Sequence, residues 1–159
     1  MESYAATADG LESIESVYRL EADRLWRALF VFSADADVAS EAVAEAFAQA
    51  IRRGDAIRDP RAWVWRTGFR IAAGELKRRS RWVRHLPEGT YEDPSVDGEL
   101  MAALARLPDR QRAAVVLHYY ADASVRDISA RTGMSQIAVR ANLSRGRKRL
   151  KELLGDRHG

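Results

Sequence analysis

Toward the end of this 159-residue chain, side chains able to grip a polyanion recur at helical spacing: Ser135, Gln136, Arg140, Ser144, Arg145 and Lys148, with the small Ala141 among them. Arg and Gln carry donors that can bond two atoms of a base edge at once, and the later cations suit phosphates. Little else in the chain has the spacing of chemistry. There is no cysteine, which excludes disulfides and thiolate metal sites. His85, His118 and His158 lie far apart, and no glycine-rich phosphate loop is present. No enzyme activity, metal or cofactor is therefore expected.

A rigid frame is needed to aim such a face, and the preceding residues supply one. "SVRDISART" and "QIAVRANLSRGRKRLKELL" read as helices over 124–132 and 135–154, joined by "GMS". A turn this short sets two helices at a steep angle, the geometry of a helix-turn-helix. Gly133 can take the positive φ of the turn. Ser129 is small enough for the helix crossing, Ser135 is a good N-cap, and Ile128, Val139 and Leu143 form the local core. Val139, Leu143, Leu150 and Leu154 turned inward leave Gln136, Arg140, Ala141, Ser144, Arg145 and Lys148 outward, the pattern of a recognition helix.

Charge divides the rest of the chain. Formal balances are −7 over 1–50, +8 over 51–84, −5 over 85–99 and +7 over 100–159, for a net charge of +3. Two basic blocks around an acidic gap suggest two surfaces for a polyanion. Helical apolar spacing predicts helices over 11–32, over a segment carrying Val38, Ala39, Ala42, Val43, Ala46, Phe47, Ala50 and Ile51, and over 61–84. The "SADAD" stretch offers caps between the first two. "HLPEGTYEDPSVDG", 85–98, is a linker by composition. Leu100, Leu104 and Leu107 mark a short helix, Pro108 fits the first turn of the next, and Val115, Val116, Tyr119 and Tyr120 form that helix's apolar stripe. The expected fold is all-α: two small helical domains, 11–84 and 100–155, joined by a flexible acidic linker, 85–99. No apolar run is long enough to span a bilayer. The acidic N-terminus lacks the pattern of a signal peptide, so a cytoplasmic location without membrane insertion is expected.

The stretches "LPDRQR", "LHYYAD", "DIS…TGMS" and "VRANLSRGRKRL" together resemble region 4 of the sigma-70 family of RNA polymerase sigma factors, in its extracytoplasmic-function (ECF) subgroup. "ASEAVAEAFAQA", 39–50, resembles the polymerase-binding helix of region 2 in that family. "RDPRAWVWRTGFRIAAGELKRRSR", 58–81, resembles the segment that melts and reads the minus-10 promoter element. The resemblance implies core RNA polymerase and promoter DNA as partners, with an anti-sigma factor as regulator. It assigns polymerase binding to Glu41, Glu45 and Gln49, minus-10 contacts to Trp65, Arg66, Arg70, Lys77, Arg78 and Arg79, and minus-35 contacts to the outward face from Ser135 to Lys148. The two tryptophans point to different sides of a helix: either both are core, or Trp63 is core and Trp65 lies beside the cations, ready to receive an unstacked base. Ala44, Arg70 and Gly74 depart from the family pattern. They leave open a stand-alone helix-turn-helix regulator that binds DNA without supporting initiation.

Overall fold

The computed structural model describes the backbone over 2–82 and 97–158, and side chains over 13–79 and 97–155. Seven α-helices and one 3-10 turn make up the described residues, with no strand among them. Most of the linker expected over 85–99 lies outside the described residues. Its last residues belong to a helix start instead, because the Asp97 carboxylate accepts the Glu99 N–H at 2.9 Å and α4 (Gly98–Ala105) begins there.

Caps fix the other boundaries. α1 (Glu2–Ser33) ends at Ala34, which takes φ of 57° and donates its N–H to the Phe30 carbonyl at 2.7 Å. Asp35 then caps α2 (Ala36–Arg53), accepting from the Asp37 and Val38 amides. The Asp59 carboxylate receives the Ala62 N–H at 3.1 Å, and Pro60 opens α3 (Pro60–Trp82), where its missing N–H costs nothing. Pro108 is the N-cap of α5 (Asp109–Tyr120), one position earlier than its residue type suggests.

α1, α2 and α3 form the N-terminal bundle. The small residues Ala39, Ala42, Ala46 and Ala50 line the buried face of α2. Gly68 marks where α3 crosses α1, since a Cβ there would sit 3.3 Å from Leu29 Cδ1. Ile51, expected on the same stripe as the alanines, is 55% exposed. In the C-terminal half, α5 and α7 (Gln136–His158) pack closely at Gly146, around Val115, Val116, Val139 and Leu143. Tyr119 and Tyr120 lie outside this core, at 54% and 40% exposure. The Tyr119 hydroxyl instead accepts a 2.6 Å hydrogen bond from Arg147 Nε.

The halves do not stand apart. Their buried residues form one continuous apolar cluster, with α3 packed on α6 (Val125–Thr132) and α1 on α5. Arg112 fastens this junction from α5: one guanidinium nitrogen donates to the Phe32 carbonyl of α1 at 3.1 Å. The other reaches the Ala105 and Leu107 carbonyls.

Candidate nucleic-acid interface

The helix-turn-helix of the C-terminal half forms as its sequence dictates. Ser124 and Asp127 make a reciprocal capping box at the start of α6. Gly133, at φ of 81°, ends that helix in the left-handed region, where glycine carries no Cβ penalty. Its N–H returns to the Ser129 carbonyl at 3.0 Å. Ser129 does more than fit a crossing: its hydroxyl donates to the Met134 carbonyl at 2.6 Å and closes the turn. Ser135 caps α7 by accepting the Ala138 amide at 3.1 Å.

This frame turns Val139, Leu143 and Gly146 inward and leaves Ser135, Gln136, Arg140, Ser144, Arg145 and Lys148 exposed, with Ala141 half-buried among them. The side chains of Arg140, Arg145 and Lys148 meet no hydrogen-bond or ion-pair partner among the described residues. Three cations held on one face without neutralising neighbours generate the positive potential a phosphate backbone requires. Asn142 lies off this face, its amide donating to the Ala138 carbonyl at 2.9 Å.

The basic segment of α3 is rearranged relative to expectation. Trp65 is not an exposed platform. It is fully buried, it stacks at 6.3 Å on Phe69, and its indole N–H donates to Glu21 Oε2 at 3.2 Å. Glu21, itself buried, is held by Arg61 at 2.6 Å. The reason is helical phase. Val64, Trp65, Gly68, Phe69 and Ala72 form the core stripe of α3. Trp63, Arg66, Arg70 and Lys77 fall at i, i+3, i+7 and i+14, a different stripe that reaches solvent. Trp63 is accordingly half-buried, with Arg53 5.7 Å above its ring. Thus Trp65 is the core member of the pair, while Trp63 packs on the core only in part.

The closing cations of α3 are also partly engaged. Arg78 pairs with Glu75, and Arg79 bridges Glu75 to the capping carboxylate Asp35. Arg79 therefore ties the far end of α3 to the start of α2. Arg66 points to the C-terminal half, where its guanidinium donates twice to the Ala130 carbonyl, at 2.8 and 3.2 Å. Arg66 and Arg70 line one wall of an open groove of about 560 Å³ whose other wall is the turn at Gly133, Met134 and Ser135.

On α2, Glu41 and Glu45 are both exposed. Like charges four residues apart repel, and here the relief comes from within the helix. Glu45 accepts from Gln49 at 3.0 Å and from Arg52 at 3.2 Å. The Gln49 bond, followed by Arg52, holds the Glu45 carboxyl below its ordinary pKa. Glu41 has no such neighbour among the described residues.

Sequence reasoning missed the residues that join the halves: Arg66 as a donor to α6, Arg112 at α1 and Arg131 beside Trp65. Each is an arginine among many, and no local spacing signals a partner that is distant in sequence. It also missed Ile137, 80% exposed in the first turn of α7. An apolar residue outside the inward stripe was the available signal.

Residues 97–150 match the family model for sigma-70, region 4. The chain is 27% identical to the ECF RNA polymerase sigma factor SigE of Mycolicibacterium smegmatis, over 95% of its own length and 66% of that protein's. It is 25% identical to the RNA polymerase sigma factor SigV of Bacillus subtilis, over 77% and 80% of the two chains. Among solved structures, the fold resembles the sigma factor RpoE of Bartonella quintana in complex with the anti-sigma factor NepR. The TM-score is 0.72 at 22% identity, covering 91% of this chain and 98% of that one. CnrH in complex with the cytosolic domain of CnrY gives a TM-score of 0.70 at 20% identity, covering 97% and 95%. A helix-turn-helix matched as region 4, relatives that are themselves sigma factors, and a shared all-helical fold lead to one conclusion: residues 97–150 form a sigma-70 region 4, in a chain similar along most of its length to extracytoplasmic-function RNA polymerase sigma factors.

Proposed function

We propose that this chain is a transcription initiation factor that binds core RNA polymerase and directs it to promoters carrying minus-10 and minus-35 elements. The observation that carries this reading is the outward face of α7, where exposed Arg140, Arg145 and Lys148 surround Gln136, Ala141 and Ser144 on a well-capped recognition helix. That face reads the minus-35 element in the major groove, with Arg140 at base edges and the later cations at phosphates. Residues 11–84 form the polymerase-binding and minus-10 domain, and residues 100–155 the minus-35 domain.

In the N-terminal domain, Glu41, Glu45 and Gln49 face the polymerase. Arg66, Arg70, Lys77 and Arg78 follow the unwound strand, and Trp63 takes the aromatic role expected of Trp65 because it shares their stripe. The protein works in the cytoplasm, where promoter and polymerase are. No helix among the described residues is long and apolar enough to cross a membrane. The solved relatives are complexes with NepR and with the cytosolic domain of CnrY. By analogy, an anti-sigma factor holds this protein off the polymerase. The role is one of binding and positioning, without catalysis by the chain itself.

Run-off transcription tests the proposal. The protein is added to core RNA polymerase with a pool of genomic promoter fragments, and transcript starts are mapped. New sequence-specific starts are expected, with two shared upstream elements. DNA binding without any start would overturn initiation and favour a stand-alone regulator.

A further inference from the structure

Ile137 is the most exposed large apolar side chain among the described residues, at 80%. An isolated exposed apolar residue says little by itself. Its position on α7 says more. Ile137, Ala141, Ser144 and Lys148 fall at i, i+4, i+7 and i+11, a single stripe diametrically opposite Val139, Leu143 and Gly146. Ile137 therefore lies on the centre line of the DNA-facing surface, at the N-terminal end, where recognition helices meet base edges.

No local structural task accounts for it. With Ser135 as N-cap, the positions of a hydrophobic staple are Met134 and Val139, not Ile137. A β-branched residue is a modest helix former, so propensity does not favour it either. What remains is an aliphatic surface presented beside Gln136 and Arg140. Of the groups displayed in the major groove, only the thymine 5-methyl is apolar.

We propose that Ile137 is a specificity-determining residue that packs on the 5-methyl group of a thymine in the half-site read by α7. This rests on the minus-35 reading above. Arg140 and Gln136 choose bases through hydrogen bonds, and Ile137 adds a preference that no donor or acceptor on the helix can express. Burying one methyl group corresponds to about a fourfold change in affinity.

The test uses the full chain and a duplex enriched by it from a randomised pool. Each thymine of the enriched site is replaced singly by deoxyuridine, which deletes the methyl group and keeps every hydrogen-bonding atom. One replacement is expected to weaken binding by the wild-type protein about fourfold. The Ile137→Ala variant should bind both duplexes equally, while Ile137→Val keeps part of the discrimination. The side chain is exposed, so these variants retain the fold. If no replacement matters, or if Ile137→Ala discriminates as the wild type does, the inference is overturned while minus-35 reading stands. If the pool yields no enriched site at all, the reading itself falls, and the inference with it.

Discussion

Arg131 of α6 lies over the ring of Trp65 of α3, its guanidinium carbon 4.6 Å from the ring centroid. The contact joins the C-terminal half to the N-terminal half. Arg131 is only 6% exposed and faces Glu21 and Asp127 together with the like charges of Arg61 and Arg24. Burial, then the field of Arg61, lowers its pKa, and its Nη1 has no hydrogen-bond partner among the described residues. Attraction to an indole face is worth roughly 0.5–2 kcal/mol, while an unsatisfied buried donor costs about 1–3 kcal/mol. At this one contact the opposing terms are of similar size, whereas the shared apolar cluster and the bonds of Arg66 and Arg112 hold the rest of the junction.

The Arg131→Glu variant should separate the halves, because a carboxylate would replace the cation over the indole face and stand beside Glu21. The chain has no cysteine, so dyes placed at Arg52→Cys and Lys151→Cys report the spacing directly. Energy transfer should fall in Arg131→Glu, and unchanged transfer would show that the junction does not depend on this contact. Arg131→Met, which keeps the packing and removes the orphaned donor, should hold the halves together at least as well as the wild type.

Gly146 sets how closely the recognition helix approaches α5. A Cβ there would lie 2.7 Å from Val115 Cγ2 and 3.4 Å from the Gln111 carbonyl oxygen. Val115 is buried and β-branched, so it yields poorly. Overpacking costs about 1–3 kcal/mol against a helix-propensity gain of about 1 kcal/mol. Gly146→Ala should therefore lower the urea midpoint, with recovery in the double variant carrying Val115→Ala less than additive in loss. Gly74→Ala is the control, since a Cβ there meets nothing within 4 Å. It should raise stability by about 0.4–1 kcal/mol.

Arg140 and Arg145 should fail in different ways. On the proposed minus-35 reading, Arg140→Ala is expected to cost about 1–3 kcal/mol on the cognate site, with relaxed sequence preference. On the same reading, Arg145→Ala loses a phosphate contact. It should weaken all duplexes alike and reduce the salt slope of binding by about 1. Both side chains are exposed, so circular dichroism should be unchanged. Affinity and slope that match the wild type in both variants would remove α7 from the interface.

The capping box gives α6 a pH dependence. The Ser124 backbone N–H, with its hydroxyl, holds the Asp127 carboxyl below its ordinary pKa. A folded-state pKa below the unfolded one means that the stabilisation is complete above the unfolded value, about 3.9. It is lost as pH falls through the folded value. Asp127→Ala should therefore be less stable than wild type at neutral pH, by roughly 0.5–1 kcal/mol for one exposed hydrogen bond. The two denaturation curves should converge in acid. A gap that persists at pH 2 would show that the carboxylate charge is not its source.

Local chemistry made much of this protein legible in its sequence. Gly133 and Ser135 marked the turn because only certain residues tolerate a positive φ or cap a helix. The inward spacing of Val139 and Leu143 marked which face of α7 is buried. Those properties depend on neighbours within one or two turns. Which of Trp63 and Trp65 is the core member did not announce itself, because both are large, apolar and flanked by cations. Only the packing of α3 on α1, with Glu21 waiting for an indole N–H, chose between them. The docking of the halves was equally silent. Arg66 meets Ala130, and Arg131 meets Trp65, across more than sixty residues of chain. Such partners are decided by which surfaces come together in three dimensions, and no periodicity along the chain records that.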